Sequence, residues 1–296
     1  MKIDVFLACL LSHILFDFVF QVRKLLHLRF PVNKNSGQTL ISKHNIIKIF
    51  KGNIFHATMH FIGTSVFLLI IINIYNKNIE YIFLLVFIIF VSHFIIDFSK
   101  SFFYLLRPRS ESSLIVFFLD QILHVSIIFI VCYGSHLRRG FSSLITLFNQ
   151  YPKSITILQK QLIALIVFFV ATWCTGIFIK LFIKKLDSSQ IHICNSNIKK
   201  AQSGVIINES GNVIKTISQE AKNGGFIIGI LERIFIIVSI LMNYSVVIGF
   251  VLTAKSFARL SKLSDESFAE YFIIGNLMSF ISAILGGILL KSMFGL

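Results

Sequence analysis

The feature that most constrains this chain is a series of continuous apolar runs, each about 18–25 residues long, repeated from one end to the other. Hydrocarbon offers no water to bare peptide groups. A segment that crosses it must therefore satisfy its own backbone, as an α-helix or within a closed barrel. Barrel strands alternate apolar and polar residues over short stretches, whereas these runs do not alternate. The expected fold class is all-α, a polytopic transmembrane helix bundle. Eight spans are expected, over 4–22, 54–75, 80–103, 112–134, 160–183, 226–242, 245–260 and 267–290. The short seventh forms a tight helical hairpin with the sixth through Asn243 and Tyr244. The first run carries Asp17 and has no small-residue cleavage site, so it reads as a retained helix and not a signal peptide.

Charge sets the orientation. Only 14% of the residues are charged, against about 25% in a soluble domain. The net charge is nevertheless +15. The stretch 23–51 has seven basic residues and no acidic one, and further basic residues cluster at 107–109, 180–222 and 255–262. With the N-terminus outside, 19 basic residues in the connections face the cytoplasm and seven face outward. The positive charge is thereby explained as topogenic and implies no nucleic acid. Cytoplasmic membrane lipids of a bacterial inner membrane are the expected surroundings. Residues 135–159 are basic and amphipathic, suited to the membrane surface. Three regions follow: a five-span bundle at 1–186, a cytoplasmic linker at 187–223 with a possible small β-hairpin in GVIINESGNVIK, and a three-span bundle at 224–296.

Ionisable residues inside spans are costly and mark function or interhelical pairing. The first four spans hold His13 and Asp17, His56 and His60, His93 and Asp97, and Asp120 and His124. Each pair is spaced i, i+4, so its two side chains share a helix face. Counted from the cytoplasmic ends, all eight fall at a similar depth. Gln21, Lys100 and Asn53 extend the same stripes. Gln121 points about 100° away from Asp120 and ranks lower. Five imidazoles and three carboxylates form a nitrogen-and-oxygen donor set suited to zinc, iron or manganese. All eight are metal-ligand candidates. Asp17, Asp97 and Asp120 are also general-base candidates, and Lys100 can stabilise developing negative charge. No C-x-x-C spacing joins Cys9, Cys132, Cys174 and Cys194, so neither a thiolate zinc site nor a disulfide framework is indicated. In the last three spans Glu232, Arg233, Lys255, Arg259 and Glu270 suit interhelical ion pairs or a basic lining for an anionic lipid head group.

These motifs resemble a bacterial and phage integral-membrane family catalogued as a domain of unknown function. Its marks are similar to H-x-x-x-D-F-x-x-Q at His13, Asp17, Phe18 and Gln21, and to H-x-x-x-H at His56 and His60. Further on they are similar to H-x-x-x-D-x-x-K at His93, Asp97 and Lys100, and to D-Q-x-x-H at Asp120, Gln121 and His124. C-terminal marks are similar to the residues from Ile228 to Arg233, to Gly249, Phe250, Lys255 and Arg259, and to Ala269, Glu270, Tyr271 and Gly275. A looser likeness, in residue type and location only, is to membrane-bound metal-dependent hydrolases. The leading expectation is a metal-dependent hydrolase acting on a lipid-like or amphipathic substrate from the cytoplasmic leaflet. The alternatives are a metal-ion or proton-coupled transporter with a His/Asp relay, and a scaffold whose polar pairs serve assembly.

Overall fold

The computed structural model describes residues 2–21, 23–30, 41–75, 79–107, 113–150, 155–197, 224–260, 263 and 266–295, and among them it is all-helical. Helix α1 (Lys2–Ile14) continues into a π-turn, Leu15–Val19. Helix α2 (Arg23–Arg29) is short. Three long helices follow: α3 (Lys43–Tyr75), α4 (Ile79–Leu106) and α5 (Leu114–Tyr133). Amphipathic α6 (Leu137–Gln150) precedes α7 (Ile157–Phe169), a second π-turn (Val170–Cys174) and α8 (Thr175–Asn197). The chain ends in α9 (Gly224–Leu241), α10 (Val246–Phe257) and α11 (Glu266–Phe294).

Six of these segments are long and apolar enough to cross a membrane: Lys43–Ile74, Ile82–Leu106, Leu114–Tyr133, Ile157–Leu186, Gly224–Leu241 and Ala269–Phe294. The other two expected spans fall short for different reasons. The first carries Lys2, Asp4 and Asp17 along a short helix, and α10 has only 12 residues. The expected linker also changes character. Its first part, 187–197, continues α8, and the proposed hairpin lies outside the described residues. The hairpin turn between α9 and α10 is as expected. Asn243 takes φ 63°, a left-handed conformation that asparagine tolerates at helix ends, and the Tyr244 N–H closes on the Ser239 carbonyl at 2.8 Å.

Helix α1 is the axis of the N-terminal bundle. Residues 4–9 and 11–15 are buried on every side, so it packs as a wholly enclosed helix against α3, α5 and α7. Glycine at 63 allows the close approach of α3, because a Cβ there would lie 1.9 Å from the Phe16 ring. The outer faces of α3, α4 and α5 display Phe55, Ile62, Leu69, Phe83, Phe87, Ile115 and Leu119, an apolar surface that suits lipid and not water. Leu158, Leu162 and Ile166 of α7 pack into the α1 core, while Ala164, Val167 and Phe168 pack into a second core with α9, α10 and α11. Helix α7 is thus the wall shared by both.

Helix α1 runs antiparallel to α5 and parallel to α7. The N-terminal end of α1 meets the C-terminal end of α5, where Phe6 contacts Phe129 edge-on at 5.6 Å. It also meets the first turn of α7, where Gln159 donates to Asp4 at 3.0 Å. Thr156 and Gln159 form a reciprocal capping box there, which fixes the start of α7.

Candidate functional site

The opposite end of α1 holds the polar cluster. All eight candidates from the first four spans are buried, and the fold brings them together. The π-turn carries Asp17, and its closing bond runs from the Phe20 N–H to the Leu15 carbonyl at 2.8 Å. Such turns widen a helix by one residue and often occur at functional sites. The widening spans Leu15–Val19 and so includes Asp17. Asp17 becomes the hub of the cluster. Its Oδ1 accepts from Nε2 of His56 at 2.9 Å and from Nε2 of His60 at 3.1 Å, and it lies 3.7 Å from Nε2 of His93. Its Oδ2 lies 3.7 Å from Nε2 of His13.

Two residues enter this site against expectation. Gln121 was expected to face away from the stripe of Asp120. It instead donates to Asp17 Oδ2 at 3.1 Å and to Asp120 Oδ2 at 3.2 Å, and its Oε1 lies 3.2 Å from His13 Nε2. A 100° offset on α5 is no barrier when α1 packs into the angle between the two side chains. Arg29 was counted among topogenic surface charges. It is 2% exposed, and its Nη2 lies 2.7 Å from Asp97 Oδ1. Its Nε donates to Asn53 Oδ1 at 2.9 Å, and the Asn53 amide donates to Ser101 Oγ at 3.0 Å. Glycine at 52 admits this helix, since a Cβ there would lie 2.9 Å from the Arg29 backbone nitrogen. Composition conceals such an arginine, and its spacing from the acidic span residues gives no helical signal. Lys100 lies at the more open edge and donates to Asp120 Oδ2 at 2.6 Å. Gln21, just beyond the π-turn, is half-buried.

The two carboxylates on α4 and α5 share a pattern. One oxygen of each is neutralised, Asp97 Oδ1 by Arg29 and Asp120 Oδ2 by Lys100. The other oxygen of each, Asp97 Oδ2 and Asp120 Oδ1, is buried without a hydrogen-bond partner. The imidazole nitrogens facing them, His93 Nε2 at 3.2 Å and His124 Nε2 at 3.6 Å, are equally without a hydrogen bond. Buried polar atoms normally find partners, so four orphans turned toward one another need a reason. A cation gives them one. Three overlapping groups can hold one: His13, Asp17, His60 and His93; His56, His93 and Asp97; and Asp17, Asp120 and His124, with donor atoms within 4.8 Å of one another in each.

Comparison with known proteins places this cluster. Residues 5–151 match the family described as Protein of unknown function (DUF3307). Every residue of the cluster, including Arg29, Lys100 and Gln121, lies inside the matched DUF3307 segment, and the C-terminal marks from Ile228 onward lie beyond it. No curated protein and no solved structure matches the chain, so no match carries the likeness to metal-dependent hydrolases.

Proposed function

We propose that the cluster is a divalent-metal centre of a membrane-embedded hydrolase that acts on a lipid-like or amphipathic substrate from the cytoplasmic leaflet. The observation that supports this best is the set of four orphaned atoms, His93 Nε2, His124 Nε2, Asp97 Oδ2 and Asp120 Oδ1, on two adjacent helices. These are the first ligand candidates, with Asp17, His13, His56 and His60 completing the donor set. Nitrogen and oxygen donors without thiolate favour zinc, with iron or manganese as alternatives. Such an ion, when bound, brings a water toward neutral pKa and polarises an ester or phosphoryl oxygen. The chain supplies the rest. Asp17 orients His56 and His60 through their Nε2 protons. Arg29 holds Asp97 in one rotamer. Lys100, the most exposed member, stands where an anionic substrate group would arrive.

The topology in this proposal has eight membrane-inserted helices, both termini outside, and α6 lying on the outer surface of a bacterial cytoplasmic membrane. Phe141, Ile145 and Phe148 of α6 are exposed on one side, while Leu144 packs on the α1 core, in keeping with an interfacial helix.

A transporter needs a polar route onward from the cluster. Along α1, residues 5–9 and 11 are buried and apolar, and they separate the Ser12 level from Asp4 by about 12 Å. This weighs against the relay alternative. Metal analysis of the purified full chain tests the proposal, with His60→Ala and Asp97→Ala as controls. Stoichiometric metal in the parent, reduced in both variants, is expected. A folded parent that contains none and takes up none on titration with zinc, iron(II) or manganese overturns it.

A further inference from the structure

The C-terminal bundle contains a buried cation that the proposed centre does not use. Arg233, on α9, is 2% exposed. Its Nε donates to the Thr172 carbonyl at 2.8 Å, and its Nη1 to Ser279 Oγ at 2.9 Å. Both partners are neutral. The second π-turn accounts for the first, because widening the helix at Val170–Cys174 turns carbonyls out of the regular ladder. Nη2 has no hydrogen-bond partner. Among the described residues no carboxylate lies within ion-pair distance of Arg233. The adjacent Glu232 faces α10 and is taken by Lys255 at 2.5 Å.

The guanidinium packs against two glycines, with the Phe226 ring beside Gly176. Gly225, Gly229 and Arg233 follow one another at i, i+4 and i+8, so they form one face of α9 about 12 Å long. A Cβ at Gly229 would lie 3.2 Å from Arg233 Nη1, and a Cβ at Gly176 on α8 would lie 2.6 Å from Nη2. At the open end, a Cβ at Gly225 would meet only Arg259 Nη2, at 3.9 Å. The guanidinium of Arg233 thus fills the space over Gly229 and Gly176, while the exposed position at Gly225, at the N-terminus of an 18-residue helix, has Arg259 beside it. The positive end of the helix dipole reinforces both.

We propose that Arg259 and Arg233, at this end of α9, bind an anionic group, a phosphate, most simply on the head of a membrane phospholipid. A buried guanidinium without a counter-ion is costly in hydrocarbon, and an oxyanion reaching it along the glycine face removes that cost. Glycine at 225 leaves room for the group, glycine at 229 leaves room for the Arg233 guanidinium, and Arg259 selects for negative charge at entry.

The test uses the full chain in neutral detergent, with short-chain phosphatidylglycerol, phosphatidylcholine and inorganic phosphate as separate probes. Trp173, in the π-turn beside Thr172, supplies a fluorescence signal, and native mass spectrometry counts retained lipid. Phosphatidylglycerol is expected to bind in preference to phosphatidylcholine. Arg259→Gln and Gly229→Ala are each expected to weaken it about tenfold, and Arg233→Gln to abolish it. Inorganic phosphate binding with the same sensitivity to these variants, without a phosphatidylglycerol preference, supports the site and assigns it to a free anion. Unchanged phosphatidylglycerol affinity in both Arg259→Gln and Gly229→Ala overturns the proposal even if Arg233→Gln fails to fold. So does the absence of any response to the two anionic probes.

Discussion

The two bundles treat buried charge differently. Around α1, ionisable groups from five helices meet, and two of the three carboxylates carry bare oxygens opposite bare imidazole nitrogens. Around α9, charges are few, and the one ion pair among the described residues, Glu232 with Lys255, closes on itself. The first arrangement over-supplies donors and can hold a cation. The second leaves a single arginine over-charged and suits an anion. Buried polarity in a membrane protein is therefore not one phenomenon, and residue type alone does not separate the cases. What separates them is whether each atom is satisfied by its neighbours.

The largest effect expected from breaking this contrast is at Arg29. Removing one member of a fully buried ion pair strands the other, at a cost of about 3–5 kcal/mol. Arg29→Met should lower thermal stability in detergent by that order, and adding Asp97→Asn should restore much of the loss. If Arg29→Met alone is neutral, the pair does not hold the cluster together. Lys255→Met should cost less, about 1 kcal/mol, because this lysine is partly exposed and its neighbourhood already carries excess positive charge. Equal losses at the two sites in denaturation curves would erase the distinction between the bundles. Between these lies Gly63→Ala, which drives a methyl into the Phe16 ring. It should cost about 1–3 kcal/mol, and pairing it with Phe16→Ala should relieve part of that overpacking.

The comparison also shows what is legible in the sequence. Apolar runs and i, i+4 spacing suffice to mark the helices and to bring His13, Asp17, His56, His60, His93, Asp97, Asp120 and His124 to one depth. Both signals are local and periodic. Arg29 was hidden because its burial depends on α2 folding back against Gly52, a tertiary contact without a periodic signature. Gln121 was misjudged because facing was measured on α5 alone, while the π-turn brings Asp17 of α1 to meet it. The neutral acceptors around Arg233 were unreadable for the same reason, since a π-turn on another helix presents the Thr172 carbonyl.

The finest test concerns the boundary between the cluster and the apolar length of α1. Ser12 and Thr64 hydroxyls meet there at 3.1 Å, both buried. Hydrogen bonds between membrane helices are worth about 0.6 kcal/mol on average, because the unfolded state in the membrane finds partners too. Thr64→Val keeps the shape and removes one hydroxyl, so a loss of roughly that size is expected, read as a double-mutant cycle with Ser12→Ala. A coupling of several kcal/mol would mean that this pair belongs to the network of Asp17 and His60. Near-zero coupling would mark it as packing at the edge of the apolar segment. In either case the metal content of the variants should stay at the parent level, because neither hydroxyl lies in the proposed donor set.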